Sequence, residues 1–308
     1  MTNSKAYAVL DLGTNSTRFL LYEGAPETFR PSGVVDRGSV VTRLGEDLQS
    51  TGRLLPEAQQ RVIDVLERYH ERVTKQGGEW VAGIATHAVR HASNGDRFLA
   101  RVRELLGITP ECISGEKEAQ LIYQGISRVF PDMNEGRIID IGGGSTEWIR
   151  FGNGTLRSAV SLEIGVVTLR ERCVGSERWK NQFSECIRET FRNVISGVTP
   201  AQGDIVALGG TPTTISALNQ QLNSYRSEAI HGDYLTLETI QNVRRSLEEK
   251  TIREINKMKL VREGRADVLL PGIHVLECFA EWSNASGIIV SDFGILVGCL
   301  EEATCGVS

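Results

Sequence analysis

Two stretches of this chain, about 130 residues apart, repeat one short design. The first reads Val9-Leu10-Asp11-Leu12-Gly13-Thr14-Asn15-Ser16-Thr17-Arg18 and the second Ile138-Ile139-Asp140-Ile141-Gly142-Gly143-Gly144-Ser145-Thr146-Glu147. Aligned without gaps, Asp11 meets Asp140, Gly13 meets Gly142, Ser16 meets Ser145 and Thr17 meets Thr146. Each copy runs from apolar β-type residues through a small polar turn into a second β-type run, which is the pattern of a hairpin. The second copy continues through Gly152-Asn153-Gly154 into a further strand candidate, Leu156 to Leu162, making a meander. Two matched copies predict two half-domains of similar design, each opening on such a hairpin.

Between the hairpins the apolar period changes. Val62, Val65, Leu66, Tyr69 and Val73 fall three and four residues apart, which predicts a helix over Pro56 to Lys75 with one buried face. Short apolar runs at Trp80 to Ala85 and Ile205 to Leu208 read as buried strands. Strands alternating with helices place the chain in the α/β class. Its 308 residues suffice for one large domain or two ordinary ones, and 40% apolar residues can build a core without disulfides. Cys112, Cys173, Cys186, Cys278, Cys299 and Cys305 are scattered, which argues for reduced thiols rather than a zinc site. No signal-peptide pattern and no run of apolar residues long enough for a membrane span is found, so the expectation is a cytoplasmic protein with no membrane partner. A net charge of −5 argues against DNA or RNA as a partner. It does not argue against a phosphate substrate, because screening confines charge effects to about 8–10 Å in cell-like salt.

The turns carry the chemistry. An Asp-x-Gly-x-x-Ser-Thr turn exposes backbone N–H groups and a hydroxyl with little side-chain bulk, and can cradle a phosphate. The carboxylate that opens it can hold a divalent cation. The plainer alternative is a pair of ordinary hairpin turns whose Asp and Ser satisfy local backbone groups. A third turn, Gly209-Gly210-Thr211-Pro212-Thr213-Thr214, follows the strand candidate at 205–208 and leads into a helix pattern, the usual setting for an anion.

Two Asp/Gly loops and a later Gly-Gly-Thr loop resemble the actin-like ATPase superfamily. Within it, Ile113-Ser114-Gly115-Glu116-Lys117-Glu118-Ala119, Ala85-Thr86-His87-Ala88-Val89-Arg90, Asp140 to Glu147, and Gly209 to Thr214 resemble the exopolyphosphatase and guanosine pentaphosphate phosphohydrolase (Ppx/GppA) family. Ile230-His231-Gly232, Gly264-Arg265-Ala266-Asp267 with Pro271-Gly272, and Val290-Ser291-Asp292-Phe293-Gly294 continue the match. His87 and Phe293 depart from it mildly. The resemblance implies two ribonuclease H-like (actin-like) domains with a central interdomain cleft. They would comprise residues 1–124 with a returning C-terminal helix at about 294–308, and residues 125–293. It implies the short form without a helical extension.

The same resemblance implies roles. Glu118 becomes the general base that activates water; read from the residues alone, Glu116, Lys117 and Glu118 are the charged first turn of a helix capped by Ser114. Asp140 and Glu147 become ligands of Mg2+ (or Mn2+), with positioning of the water as a second role for Glu147. Glu147 stands where the first copy has Arg18, so the halves differ there. Asp11, Thr14, Asn15, Ser16, Gly142, Gly143, Gly144, Ser145, Thr146, Gly209, Gly210, Thr211 and Thr213 form the expected phosphate cradle. Arg90 is expected at a phosphate, with a surface salt bridge as its alternative, and Arg18 and Arg265 are weaker candidates of that kind. His231 is explained equally by a structural hydrogen bond. Basic residues at 244, 245 and 250 and at 257, 259, 262 and 265 could guide a polyanion or simply form solvated helix faces. The expected activity is exopolyphosphatase, removing the terminal phosphate of polyphosphate. Rivals are hydrolysis of guanosine pentaphosphate (pppGpp), an actin-like kinase or ATPase, and a sensor that binds without turnover. The sequence is silent on assembly, for which a homodimer is a common outcome.

Overall fold

The computed structural model describes residues 5–173, 179–195 and 204–305, and among these the side chains of all but 173, 179–184, 186 and 305. Two compact units emerge. The first comprises residues 1–133 and 293–308, the second residues 134–292.

In the first unit, β1 (Ala6–Leu12), β2 (Ser16–Glu23) and β3 (Val34–Val41) form an antiparallel meander. After α1 (Leu48–Thr51) and α2 (Pro56–Lys75), β4 (Gly78–Ala85) lies parallel to β1. Then come α3 (His87–His91), α4 (Gly95–Leu106), the short β5 (Glu111–Cys112) and α5 (Gly115–Val129), giving the sheet order β3-β2-β1-β4-β5. The helix expected at Pro56 to Lys75 is found with those bounds, and the five residues that set its period, Val62, Val65, Leu66, Tyr69 and Val73, are each at most 2% exposed. The chain leaves this unit after Met133 rather than after 124, because α5 runs on to Val129 as one helix.

The second unit repeats the plan. Strands β6 (Glu135–Ile141), β7 (Thr146–Gly152) and β8 (Thr155–Leu162) form its meander. Asn153 and Gly154 make the β7–β8 turn, both at positive φ (53° and 67°), the conformation a two-residue hairpin requires. Helices α6 (Val166–Cys173) and α7 (Trp179–Ile195) lead to β9 (Ile205–Leu208), parallel to β6. There follow α8 (Gly210–Asn219), α9 (Ser227–Ile230), β10 (Tyr234–Thr236), α10 (Leu237–Glu248), α11 (Ile252–Asn256), α12 (Ala266–Trp282) and β11 (Gly287–Val290). The sheet order is β10-β11-β9-β6-β7-β8. At the centre of this core Trp148 of β7 stacks on Phe279, and Phe191 and Trp282 meet these rings edge-on.

From β11 the chain passes Asp292, whose carboxylate accepts from Tyr225 Oη and from Ser227 Oγ (2.6 Å). It re-enters the first unit at Phe293, whose ring meets Phe29 edge-on, and finishes in α13 (Ile295–Cys305). No described helix is long and apolar enough to cross a membrane. Cys112, Cys278 and Cys299 are free thiols; the side chains of Cys173, Cys186 and Cys305 lie outside the described ones.

Helices α10 and α12 share a partly buried charge cluster. Arg244 donates to Glu248 (2.8 Å) and lies 2.8 Å from Glu277 Oε2, and His274 Nε2 lies 3.4 Å from Glu248. Burial, reinforced by the nearby Arg244 charge, lowers the pKa of His274 to about 4. The unfolded chain therefore binds the extra proton first. Stability from this residue is complete above the ordinary value of about 6.5 and is lost as pH falls toward 4, by about 3 kcal/mol in all. We expect His274→Gln to flatten the fall in melting temperature between pH 7 and pH 4.5; parallel curves for the two proteins would remove His274 from that role.

Candidate functional site

Gly13 and Gly142 occupy one geometric position. Each donates its N–H to the carbonyl three residues on, Ser16 O at 3.1 Å and Ser145 O at 2.9 Å. A Cβ on either glycine would sit 2.9 Å from that same oxygen. The repeat thus preserves glycine because the turn leaves no room for a side chain.

Packing decides which way the turns face. In the first, Gly45 N donates to Thr14 O (2.9 Å), and Thr42 N and Arg43 N donate to Asn15 O (3.0 and 2.9 Å). In the second, Val166 N donates to Gly142 O (3.0 Å) and Val167 N to Gly143 O (2.8 Å), with Gly165 close enough to Gly143 that a Cβ would overlap its carbonyl. A planar trans peptide points its N–H opposite to its C=O. The N–H groups of Asn15, Ser16, Gly143 and Gly144 therefore face away from the packed side, outward from each turn. Asp11 Oδ1, Thr14 Oγ1 and Asn15 Oδ1 are buried with no hydrogen-bond partner among the described residues, as expected of a turn that a ligand completes.

Several expected cradle residues turn out to fasten the turns. Thr146 is fully buried and donates to Ile164 O (2.5 Å), while its counterpart Thr17 bonds Thr42 (2.9 Å). Thr213 donates back to Gly209 O (3.0 Å), the usual fate of a threonine hydroxyl inside a helix. Thr211 packs against Gly272 of α12. Asp11 is fully buried, and its carboxylate takes Arg18 Nε at 2.6 Å.

The last contact exposes the difference between the hairpins. Asp11 and Arg18 are direct cross-strand partners in the β1–β2 register, and Asp140 and Glu147 are direct partners in β6–β7. Opposed residues share a sheet face with Cβ atoms about 4.5–5.5 Å apart, where like charges destabilise. The first hairpin therefore contains its own cation. The second sets two carboxylates together, Asp140 7% and Glu147 1% exposed, with Ser161 Oγ donating to Glu147 Oε1 (2.8 Å). Among the described residues no group of three or more His, Cys, Asp or Glu side chains gathers around one point. Two hard carboxylate donors fit the chemistry of magnesium or manganese, which retain waters and bind phosphate oxygens.

The third turn borders this pair. Gly209 has φ +100°, and a Cβ there would lie 2.9 Å from Ile141 O and 3.3 Å from Asp140 Oδ1. The Arg265 guanidinium lies against Gly210 at the start of α8, so closely that a side chain at 210 would overlap it. A helix N-terminus beside an arginine favours an anion.

In the first unit, Thr86 N donates to Leu12 O and Ile113 N to Ala85 O, which gathers the first turn, α3 and the start of α5 at the carboxyl ends of β1, β4 and β5. Ligands of α/β sheets bind at such ends. Ser114 caps α5 by accepting from Lys117 N (3.2 Å), and Glu118 is buried one turn in. Arg90 donates to Ile113 O (2.5 Å) and reaches Glu118 Oε2 at 3.6 Å. Arg90 thus lies within ion-pair range of the buried Glu118 carboxylate, without a hydrogen bond to its Oε2. His87 stacks on His91 with centroids 4.2 Å apart. His231 Nδ1 lies 3.4 Å from Ser291 Oγ.

Sequence reading missed the Thr42–Glu46 loop, whose backbone holds the first turn and which Arg61 clamps by donating to Thr42 O (2.8 Å) and Glu46 Oε2 (2.6 Å). Arg43 at φ 49° was the only irregularity there, and φ is invisible in a sequence. Gly165 was missed likewise.

Comparison with known proteins adds the following. The family model of the Ppx/GppA phosphatase family matches residues 30–303. Exopolyphosphatase 2 of Mycobacterium tuberculosis is 32% identical over 310 residues, covering 94% of this chain and 96% of that protein. A guanosine-5'-triphosphate,3'-diphosphate pyrophosphatase of Photobacterium profundum is 29% identical over 97% of this chain but only 59% of its own length. The crystal structure of the Aquifex aeolicus Ppx/GppA family member superposes with a TM-score of 0.81 at 29% identity, covering 98% of both chains.

Proposed function

The chain belongs to the Ppx/GppA phosphatase family of actin-like α/β proteins, enzymes that hydrolyse phosphoanhydrides, and from that membership we propose that it is an exopolyphosphatase releasing the terminal phosphate of inorganic polyphosphate. The observation that carries the chemistry is the buried Asp140–Glu147 pair, facing in register where the other hairpin has Asp11–Arg18. In this reading Asp140 and Glu147 hold a divalent magnesium or manganese ion, which when bound neutralises phosphate charge. The outward N–H groups of Gly143 and Gly144, and those of Asn15 and Ser16, donate to phosphate oxygens. Arg265 and the start of α8 add positive potential beside Gly210. Glu118, beside Arg90, aims a water at the terminal phosphorus and accepts its proton as the new P–O bond forms and the bridging bond breaks. The products are orthophosphate and a chain one unit shorter.

Polyphosphate is favoured over pppGpp because the similarity to an exopolyphosphatase runs the length of both chains, whereas this chain spans 59% of the guanosine-specific relative. The test is phosphate release from polyphosphate, pppGpp and ATP, each with and without magnesium. We expect magnesium-dependent release, fastest from polyphosphate. Faster release from pppGpp would reassign the substrate, release from ATP alone would overturn the reading, and binding without release from any would make the chain a sensor.

A further inference from the structure

Helix α13 meets α5 backbone to backbone. A Cβ on Gly298 would lie 2.0 Å from Leu121 O, and one on Gly125 would lie 2.1 Å from Gly294 O. Helices ordinarily pack with axes 8–10 Å apart and side chains between them; here glycine on both sides removes that layer. Leu121 belongs to the turn of α5 immediately after Glu118. Ion pairs tie the C-terminal part of α13 to both ends of α5, Lys117 with Glu302 and Arg128 Nε with Glu301 Oε2 at 2.9 Å. The other faces of α13 pack on β1 and β4, with Ile295, Val297, Cys299 and Leu300 each at most 3% exposed. Those strands carry the first turn and α3, with Arg90, at their carboxyl ends. Helix α13 is therefore the spacer that sets the height of Glu118 against the sheet that bears its neighbours.

We propose that Gly298 and Gly125 are positioning residues for Glu118, their lack of a side chain fixing α5 at the depth where the carboxylate meets Arg90. The inference rests on the role of Glu118 given above. A Cβ at 298, 2.0 Å from Leu121 O, must open the contact by about 1.4 Å to reach an ordinary separation, and a misplacement of about 1 Å can already cost on the order of 10²-fold in rate. The phosphate-binding turns lie on strands, not on α5, so substrate affinity should be spared.

The experiment is steady-state phosphate release from polyphosphate with magnesium by Gly298→Ala and Gly125→Ala, beside Val62→Ala in the α2 core as a control for lost stability. We expect the glycine variants to lose about 10- to 100-fold in kcat with KM within about twofold, while Val62→Ala, assayed below its melting temperature, keeps its kcat. An unchanged kcat in both glycine variants overturns the proposal, as does an equal kcat loss in Val62→Ala. Should the glycine variants not fold, the Glu301→Gln/Glu302→Gln double variant releases the C-terminal part of α13 from α5 without steric change; a fall in kcat by up to about fivefold supports the proposal and an unchanged kcat overturns it. Glu118→Gln run alongside separates the two readings. If it keeps turnover, the assigned base is wrong; if it loses turnover while the α13 variants do not, only the positioning role fails.

Discussion

Glu118→Gln should lower turnover on polyphosphate by about 10²–10⁴-fold, the range for loss of a general base, with substrate binding retained. Glutamine keeps the shape and an oxygen for Arg90, whose Nη1 lies 3.6 Å from Glu118 Oε2, but cannot take a proton from water. Glu118 is only 8% exposed and its helix is capped by Ser114, so the substitution leaves the local fold in place and the loss reports on chemistry. Added magnesium should not restore the rate. Turnover within about threefold of the unaltered protein would exclude Glu118 as base, since proton transfer of this kind contributes far more.

Glu147→Gln should separate metal binding from fold stability by moving them in opposite directions. With no metal present, the unaltered chain opposes two buried carboxylates across β6 and β7. Removing one charge relieves repulsion worth up to about 1 kcal/mol, which corresponds to a melting temperature higher by about 2–4 °C. Ser161 keeps an oxygen to donate to. With metal, the variant should need at least about tenfold more magnesium for half-maximal activity. A magnesium requirement that does not move would leave Glu147 the water-positioning role instead. A lower melting temperature without metal would show that the acid pair is not repulsive. In the first hairpin no such response is available, because Arg18 already neutralises Asp11.

The meander strands, the α2 helix and the glycine turns were legible because each depends on neighbours within a few residues. Short continuous apolar runs mark β1 and β6, which are buried along nearly their whole length, and Gly13 and Gly142 are required by a carbonyl three residues away. Thr146 was read as part of a phosphate cradle for the same local reason, yet its side chain, like that of its counterpart Thr17, turns inward, to Ile164 and Thr42 respectively. Those partners lie 18 and 25 residues distant, and nothing in the turn motif encodes them. Likewise Asp292 is one residue in a motif until Tyr225 and Ser227 arrive from elsewhere in the second unit.

The repeat itself, and the exchange of charge between Arg18 and Glu147 within it, was determined by the sequence alone. Strand pairing made that exchange chemical, because antiparallel register sets each of those residues directly opposite its aspartate, and only register says which side chains share a face. The depth at which Glu118 sits is likewise a tertiary matter. It follows from a contact between Leu121 and Gly298, which are 177 residues apart in the chain, and close approach of two backbones is a property of packing that no local pattern specifies.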